Sequence, residues 1–267
     1  MEQKHIASTI SQWNIVGSAL LYGILFALLF FLPGATALER LRWLDSGICA
    51  QMLTHSFYLG GERLPLCARN TGIYLGFLVT LITLSTRGRA RAQRLPRRSL
   101  SIITTCGVAA LAIDGLNSFA SDLGLPHLYH PNNFLRLATG LATGLTLAAY
   151  TLPLLNRLFW CEFNEKRSIT FWKDLLCLLP ALALCFLGVA SQNTVALYPL
   201  ALLSSTGVLL ALSSINLICL VAISKRDESF MHYGELLPFF NIAFVCSIGE
   251  MLILAQLKLT LLHTLGL

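Results

Sequence analysis

Residues 196–223 read ALYPLALLSSTGVLLALSSINLICLVAI, 28 positions without one charged side chain. As a helix this stretch is about 42 Å long at roughly 1.5 Å per residue, and about 20 apolar residues already cross the hydrocarbon core of a bilayer. Working outward, comparable runs lie near 14–33, 71–86, 100–120, 134–155, 172–190 and 236–257, separated by polar connections. The 267-residue chain is 55% hydrophobic and 12% charged, where a soluble domain is about one quarter charged. The sequence therefore predicts an all-α fold, a polytopic transmembrane helical bundle of about seven spans, and speaks against a soluble globular core.

Basic residues set the expected orientation. Arg87, Arg89, Arg91, Arg94, Arg97 and Arg98 share one connection; Arg157, Lys166, Arg167 and Lys173 a second; Lys225 and Arg226 a third. With seven spans these connections fall on one side, and with Lys4 they hold 13 of the 19 Lys and Arg residues. Positive residues are retained on the cytoplasmic side, so the N-terminus is expected inside and the C-terminus outside, in the cell inner (plasma) membrane. Arg40, Arg42, Arg63, Arg69, Arg136 and Lys258 remain at the outer side. The net charge of +6 is accounted for by topology, and no nucleic-acid partner is implied. Met1 to Trp13 is too polar and too poorly basic for a secretory leader.

The same topology brings segment 34–70 and loop 121–133 to the non-cytoplasmic face. Within the first, Ala37 to Leu44 alternates apolar and charged residues, as expected for a short interfacial helix or a loop over the bundle. Asp114 and Asn117 are three apart and share one face of the third span, while Arg136 opens the fourth from the same side. A carboxylate in lipid needs a partner, so Asp114 is expected to pair with Arg136 or with Arg69. Two readings stay open: a clamp between helices, or a polar pocket for an anion with Arg69, Asp114, Asn117, Asn133 and Arg136 as its binding residues. Gly72 with Gly76, and Gly140 with Gly144, would let spans two and four approach closely, with Thr139 and Thr143 hydrogen-bonding across that contact. His127 and His130 stand in a Pro-bounded loop, so a metal site there is a minority reading. Glu250 is a separate intramembrane acid that is protonated, pairs with a polar group such as Asn216 or faces a cavity, and Lys258 reads as a snorkelling anchor.

Two blocks carry a family resemblance. The first runs Cys49-Ala50-Gln51, His55-Ser56-Phe57 and Leu64-Pro65-Leu66-Cys67-Ala68-Arg69-Asn70-Thr71-Gly72-Ile73-Tyr74. The second is Asp114-Gly115-Leu116-Asn117 followed by Asn132-Asn133-Phe134-Leu135-Arg136-Leu137-Ala138-Thr139-Gly140. Over roughly residues 45–150 these blocks resemble the bacterial and archaeal membrane family catalogued as domain of unknown function 2085, whose pattern has Cys-His-Gln, Arg-Ser-Phe and Pro-Leu-Cys-Ala-Arg-Cys-Thr-Gly. The resemblance implies the class and no particular chemistry. Ala50, His55, Asn70 and Asn117 depart from the pattern, so a four-ligand site suggested by it lacks two members here and no metal is assigned. For Cys49 and Cys67 the first reading is then a structural disulfide on an oxidising face, with free thiols second and a metal or redox pair third. The other six cysteines read as small packing residues. A more distant likeness to VanZ-like membrane proteins implies handling of envelope lipid or cell wall.

Residues 1–156 are read as a family-like core with four spans and the outer polar face, and 157–267 as an extension with three. Three functions are carried forward. The first binds, moves or processes a lipid or other small anionic compound at the outer face; the second is a non-catalytic subunit of a larger membrane complex; the third is an outward-facing thiol or metal protein. Membrane lipid and other membrane subunits are the expected partners. No cofactor is identified, and no nucleophile–base pair or phosphate loop marks an enzyme.

Overall fold

A computed structural model describes residues 2–170 and 172–265, with side chains from Asn14 onward; the Lys4 charge used above lies outside these described side chains. The main elements are α1 (Glu2–Leu28), α2 (Ala37–Asp45), the two-residue strands β1 (Tyr58–Leu59) and β2 (Glu62–Arg63), α3 (Ala68–Leu84), α4 (Arg98–Asp122), α5 (Asn133–Phe159), α6 (Trp172–Ala190), α7 (Thr194–Ile223) and α8 (Tyr233–Leu265). Six of these helices are long and apolar enough to cross a membrane. The protein is an all-α, multi-pass membrane bundle in which α3, at 17 residues, is a shorter companion to the six. It stops where Gly88 takes a positive φ of 69° inside a π-turn, Ser85–Arg89, a conformation that glycine adopts without the Cβ penalty.

Glycines bring α3 and α5 together. A Cβ at Gly72 or Gly76 would stand 2.5 Å from the carbonyl oxygens of Leu137 and Leu141, and one at Gly140 or Gly144 would collide with the backbone of α3 at Arg69 and Ile73. Small residues let helices approach until backbones touch, which is the main source of packing energy where lipid tails compete for apolar contacts. The two threonines behave differently from expectation. Thr139 donates to its own helix, and Thr143 donates to Thr139 O at 2.9 Å and to Gly107 O of α4 at 3.3 Å, so the cross-helix bond joins α5 to α4 and not to α3.

The last three helices are built into this centre. Gly207 of α7 lies against the Tyr74 carbonyl of α3, and α8 is tied to α7 by Ser213 and Ser247 at 3.2 Å. Helix α1 joins α8 through Tyr22, which donates to Asn241 Oδ1 at 2.6 Å, while Asn241 Nδ2 donates to Ser18 at 2.7 Å. Outside these contacts α1 exposes Leu20, Ile24, Phe26 and Leu28, as a lipid-facing helix with internally satisfied backbone does. Helix α2 lies across one end of the bundle. A Thr36–Glu39 capping box starts it, and Leu38, Leu41 and Leu44 are buried beneath it.

The basic connections meet at the opposite end. Arg89 reaches Asp174 at 2.9 Å, Arg91 sits 4.0 Å over the Trp160 ring and 4.6 Å over Tyr233, and Gln93 donates to the carbonyls of Asn156 and Glu162.

Candidate functional site

The end carrying α2 holds two polar clusters. The first is centred on Asp114, 1% exposed. Arg69 projects from the first turn of α3 and donates from Nη2 to Asp114 Oδ2 at 2.6 Å and to Ser118 Oγ at 3.3 Å. Tyr129 donates its hydroxyl to Asp114 Oδ1 at 3.0 Å. The phenol is pushed above its ordinary value by burial and by that bond to the carboxylate. Asn117, one turn along α4, does not touch the arginines. Its Oδ1 accepts from the amides of Leu128 and Tyr129 and its Nδ2 donates to Tyr129 O, fastening the 123–132 loop over the acid.

Arg136, 4% exposed, does not pair directly with Asp114, as one of the two expected pairings had it. It donates from Nε to the same Ser118 Oγ at 3.3 Å, from Nη1 to Asn133 Oδ1 at 2.8 Å, and lies 3.1 Å from His55 Nε2. That nitrogen is also 3.2 Å from Asp122. A single imidazole nitrogen accepts from the guanidinium or donates to the carboxylate, never both at once. Asn133 Nδ2 donates to Thr54 O at 3.0 Å and to Ser56 O at 3.4 Å. Beside this group opens a cavity of about 420 Å³, bordered by Thr54, Ser56, Tyr58, Asn133, Arg136 and Gln192. Arg69 Nε, buried, has no hydrogen-bond partner among the described residues.

The second cluster surrounds Cys49. Both candidate cysteines are thiols here, Cys49 buried and Cys67 half-buried, and they are in contact. The Cys49 sulfur accepts from the Cys67 amide at 3.3 Å, and the Cys67 thiol, the Gln51 amide and the Asn70 side chain lie beside it and favour its charged form. Lys258 of α8 holds the loop beneath it, donating to the carbonyls of Ser46 at 3.2 Å, Cys49 at 3.0 Å and Ala50 at 3.4 Å. Its ammonium serves this loop, where an anchor at the bilayer edge was expected. Asp45, fully buried, accepts from Ser205 of α7 at 2.6 Å, and its second oxygen has no partner among the described residues.

The description "Predicted membrane protein (DUF2085)" matches residues 49–150. An uncharacterized protein of Methanocaldococcus jannaschii is 31% identical over 117 residues, covering 44% of this chain and 69% of that protein. The chain belongs to this family. No solved structure matches it.

The matched segment of this DUF2085 protein contains both clusters apart from Asp45, Ser46, Ser205 and Lys258, with Gln192 of the cavity border also outside it. Positions 49, 67 and 70, which the family pattern marks with Cys, converge in space, while residue 50 is exposed. Among the described residues no group of three His, Cys, Asp or Glu gathers to hold a metal; His127 and His130 meet edge to face with ring centroids 5.3 Å apart in the loop.

Arg69, Asp114, Asn133 and Arg136 therefore fall in one network, with Asn117 supporting it from outside. Sequence reasoning missed Ser118, Asp122 and the part played by His55 and Tyr129. Ser118 was within reach of a helical reading, since it lies four residues beyond Asp114 on the same face of α4.

Proposed function

We propose that this protein binds a phosphate-bearing anion at the end of the bundle expected to face outward, with Arg136 as the principal donor and Arg69 as its neighbour. The 420 Å³ cavity with the buried Arg136 guanidinium in its wall carries the reading. Guanidinium groups bind phosphate through paired, charge-assisted hydrogen bonds, and Asn133, Thr54, Ser56 and Gln192 offer neutral polar partners around it. Asp114 offsets the charge of Arg69 and fixes its direction, leaving Arg136 to interact with the ligand. The anion is a lipid headgroup or a small free phosphate compound; both have the same recognition chemistry.

Purified protein in phosphatidylcholine nanodiscs, with and without phosphatidylglycerol, separates the two. Native mass spectrometry is expected to show retained phosphatidylglycerol, and displacement by millimolar inorganic phosphate would identify the free anion as the better ligand. Arg136→Leu is expected to lose binding at least about tenfold, with Arg136→Lys intermediate. A folded Arg136→Leu protein that binds both probes as well as wild type overturns the proposal.

Glu250 favours a second reading, as a subunit of a membrane complex. It is exposed within α8, with Asn216 Nδ2 at 3.1 Å, and an exposed carboxyl inside a span is costly unless another helix covers it. Mass measurement after extraction in mild detergent tests this, because a stable lone monomer excludes it.

A further inference from the structure

We propose that Cys49 and Cys67 form a thiol–disulfide exchange site, in which Cys49 attacks a small carboxylate-bearing disulfide and Cys67 resolves the mixed disulfide. The geometry around the Cys49 sulfur carries the idea. The Cys67 amide donates to it at 3.3 Å, and the Cys67 thiol, the Gln51 amide and the Asn70 side chain stand beside it on the side that favours its charged form. A neutral thiol is a weak acceptor, whereas a thiolate is stabilised by such a set. The Cys67 amide belongs to the N-cap of α3, where exposed amides and the helix dipole favour negative charge.

Local backbone strain supports the same arrangement. Gln51 has a φ of 57°, a left-handed conformation that side chains other than glycine adopt at a cost. Its side chain is locked by donating to Arg42 O at 2.7 Å and Pro65 O at 2.6 Å. The strained residue is thus held with its amide beside the sulfur, where it favours the charged form. Lys258 adds positive charge to the same loop.

The two sulfurs are differentiated as an attacking and a resolving group must be. The bond from the Cys67 thiol, with the other donors, brings Cys49 down to about 6 in spite of burial. The same bond, together with burial, pushes the Cys67 thiol up. The charged groups facing the pair are Asp45 of α2, Arg69 of α3, Arg136 of α5 and Lys258 of α8, with Arg63 of β2 beside Lys258 and the Tyr74 phenol beneath.

The step balances. Cys49 thiolate attacks one sulfur of RSSR, the RS–SR bond breaks, and RS⁻ departs. The Cys67 thiol then attacks Cys49, releasing the second RS group, which leaves with the Cys67 proton as RSH. The substrate disulfide gains two electrons and becomes RS⁻ and RSH, while the protein loses two and holds a Cys49–Cys67 disulfide. A cavity of about 350 Å³ borders the loop at Ser46, Ala50 and Gln51, and Arg42, Arg63 and Lys258 line it. Its positive charge favours a carboxylate-bearing substrate over a cationic one.

The probe is glutathione disulfide, with the cationic disulfide cystamine for comparison, applied to the full chain in nanodiscs and read by peptide mass mapping. Wild type is expected to form the Cys49–Cys67 disulfide, and Cys67→Ser to trap glutathione on Cys49. Cys49→Ser should leave Cys67 at least about tenfold less modified, and glutathione disulfide should outpace cystamine. Alkylation of Cys49 in Cys67→Ala and Asn70→Ala proteins should shift to higher pH than in wild type, a readout that a purely structural pair would not move. Equal trapping at Cys67 in the Cys49→Ser protein overturns the proposal. So does a wild-type protein in which exposed Cys161 and Cys219 react while Cys49 and Cys67 stay reduced.

Discussion

Arg69 of α3 closes on Asp114 of α4 at 2.6 Å, with the carboxylate 1% exposed and the guanidinium side chain 26% exposed. Removing one member leaves the other charge without its partner, and such losses cost about 3 kcal/mol or more. Asp114→Asn and Arg69→Met are therefore each expected to lower the thermal midpoint in detergent markedly. The double change Arg69→Met/Asp114→Asn should lose less than the sum of the two. Additive losses in that cycle would show that the pair is not coupled.

The glycines of α3 and α5 give a second contrast. Gly144→Ala places a Cβ into the backbone of α3 near Ile73, whereas Gly23 of α1 has nothing within 4 Å. The expectation is a destabilised or misassembled Gly144→Ala protein. Gly23→Ala should be neutral or up to about 1 kcal/mol more stable, through helix propensity. Thermal melting in one detergent compares them directly.

Helix α2 depends on its first turn. Thr36 Oγ1 accepts from the Glu39 amide at 3.2 Å, and the Glu39 carboxylate accepts from the amides of Ala35 and Thr36. Thr36→Ala is expected to cost about 1 kcal/mol. Faster hydrogen exchange across residues 37–45, with little change in α5, is the signature to measure.

The long helices were legible because lipid imposes one rule along the whole chain, and an uninterrupted apolar run such as 196–223 satisfies it in one way only. The ends of α3 to α7 and the α2 segment came close to their expected places, whereas α1 begins at Glu2, well before the expected 14, and α8 runs on to Leu265, past the expected 257. The site was legible in part. Asp114, Arg136 and Arg69 stand out as charges in apolar surroundings, but which arginine reaches the acid depends on the depth at which α3 and α5 cross, and that is fixed by contacts between residues far apart in sequence. The α7 and α8 contributions were hidden for a different reason. Ser205 and Gly207 are ordinary residues of a transmembrane helix until the fold sets them against Asp45 and Tyr74. Cys49 and Cys67 were read as a pair from the sequence, and the fold sets the Cys67 amide, at the N-cap of α3, 3.3 Å from the Cys49 sulfur.

Asp45 gives the clearest dependence on pH. Burial pushes its carboxyl up from 3.8 to about 7, the Ser205 hydrogen bond opposes the shift, and negative charge on Cys49 adds to it. A carboxyl whose folded value lies above its unfolded one binds its proton more tightly in the folded state. Its neutral form is tolerated in the buried site, so stability is highest below about pH 4, falls as pH rises from about 4 to about 7, and is flat above that. Asp45→Asn keeps a group that accepts from Ser205 and removes the titration. The difference in thermal midpoint between Asp45→Asn and wild type, which cancels other carboxylates, should be small near pH 4 and grow in favour of the variant up to about pH 7. A difference that stays constant from pH 4 to 8 would mean that Asp45 titrates alike in the folded and unfolded chain.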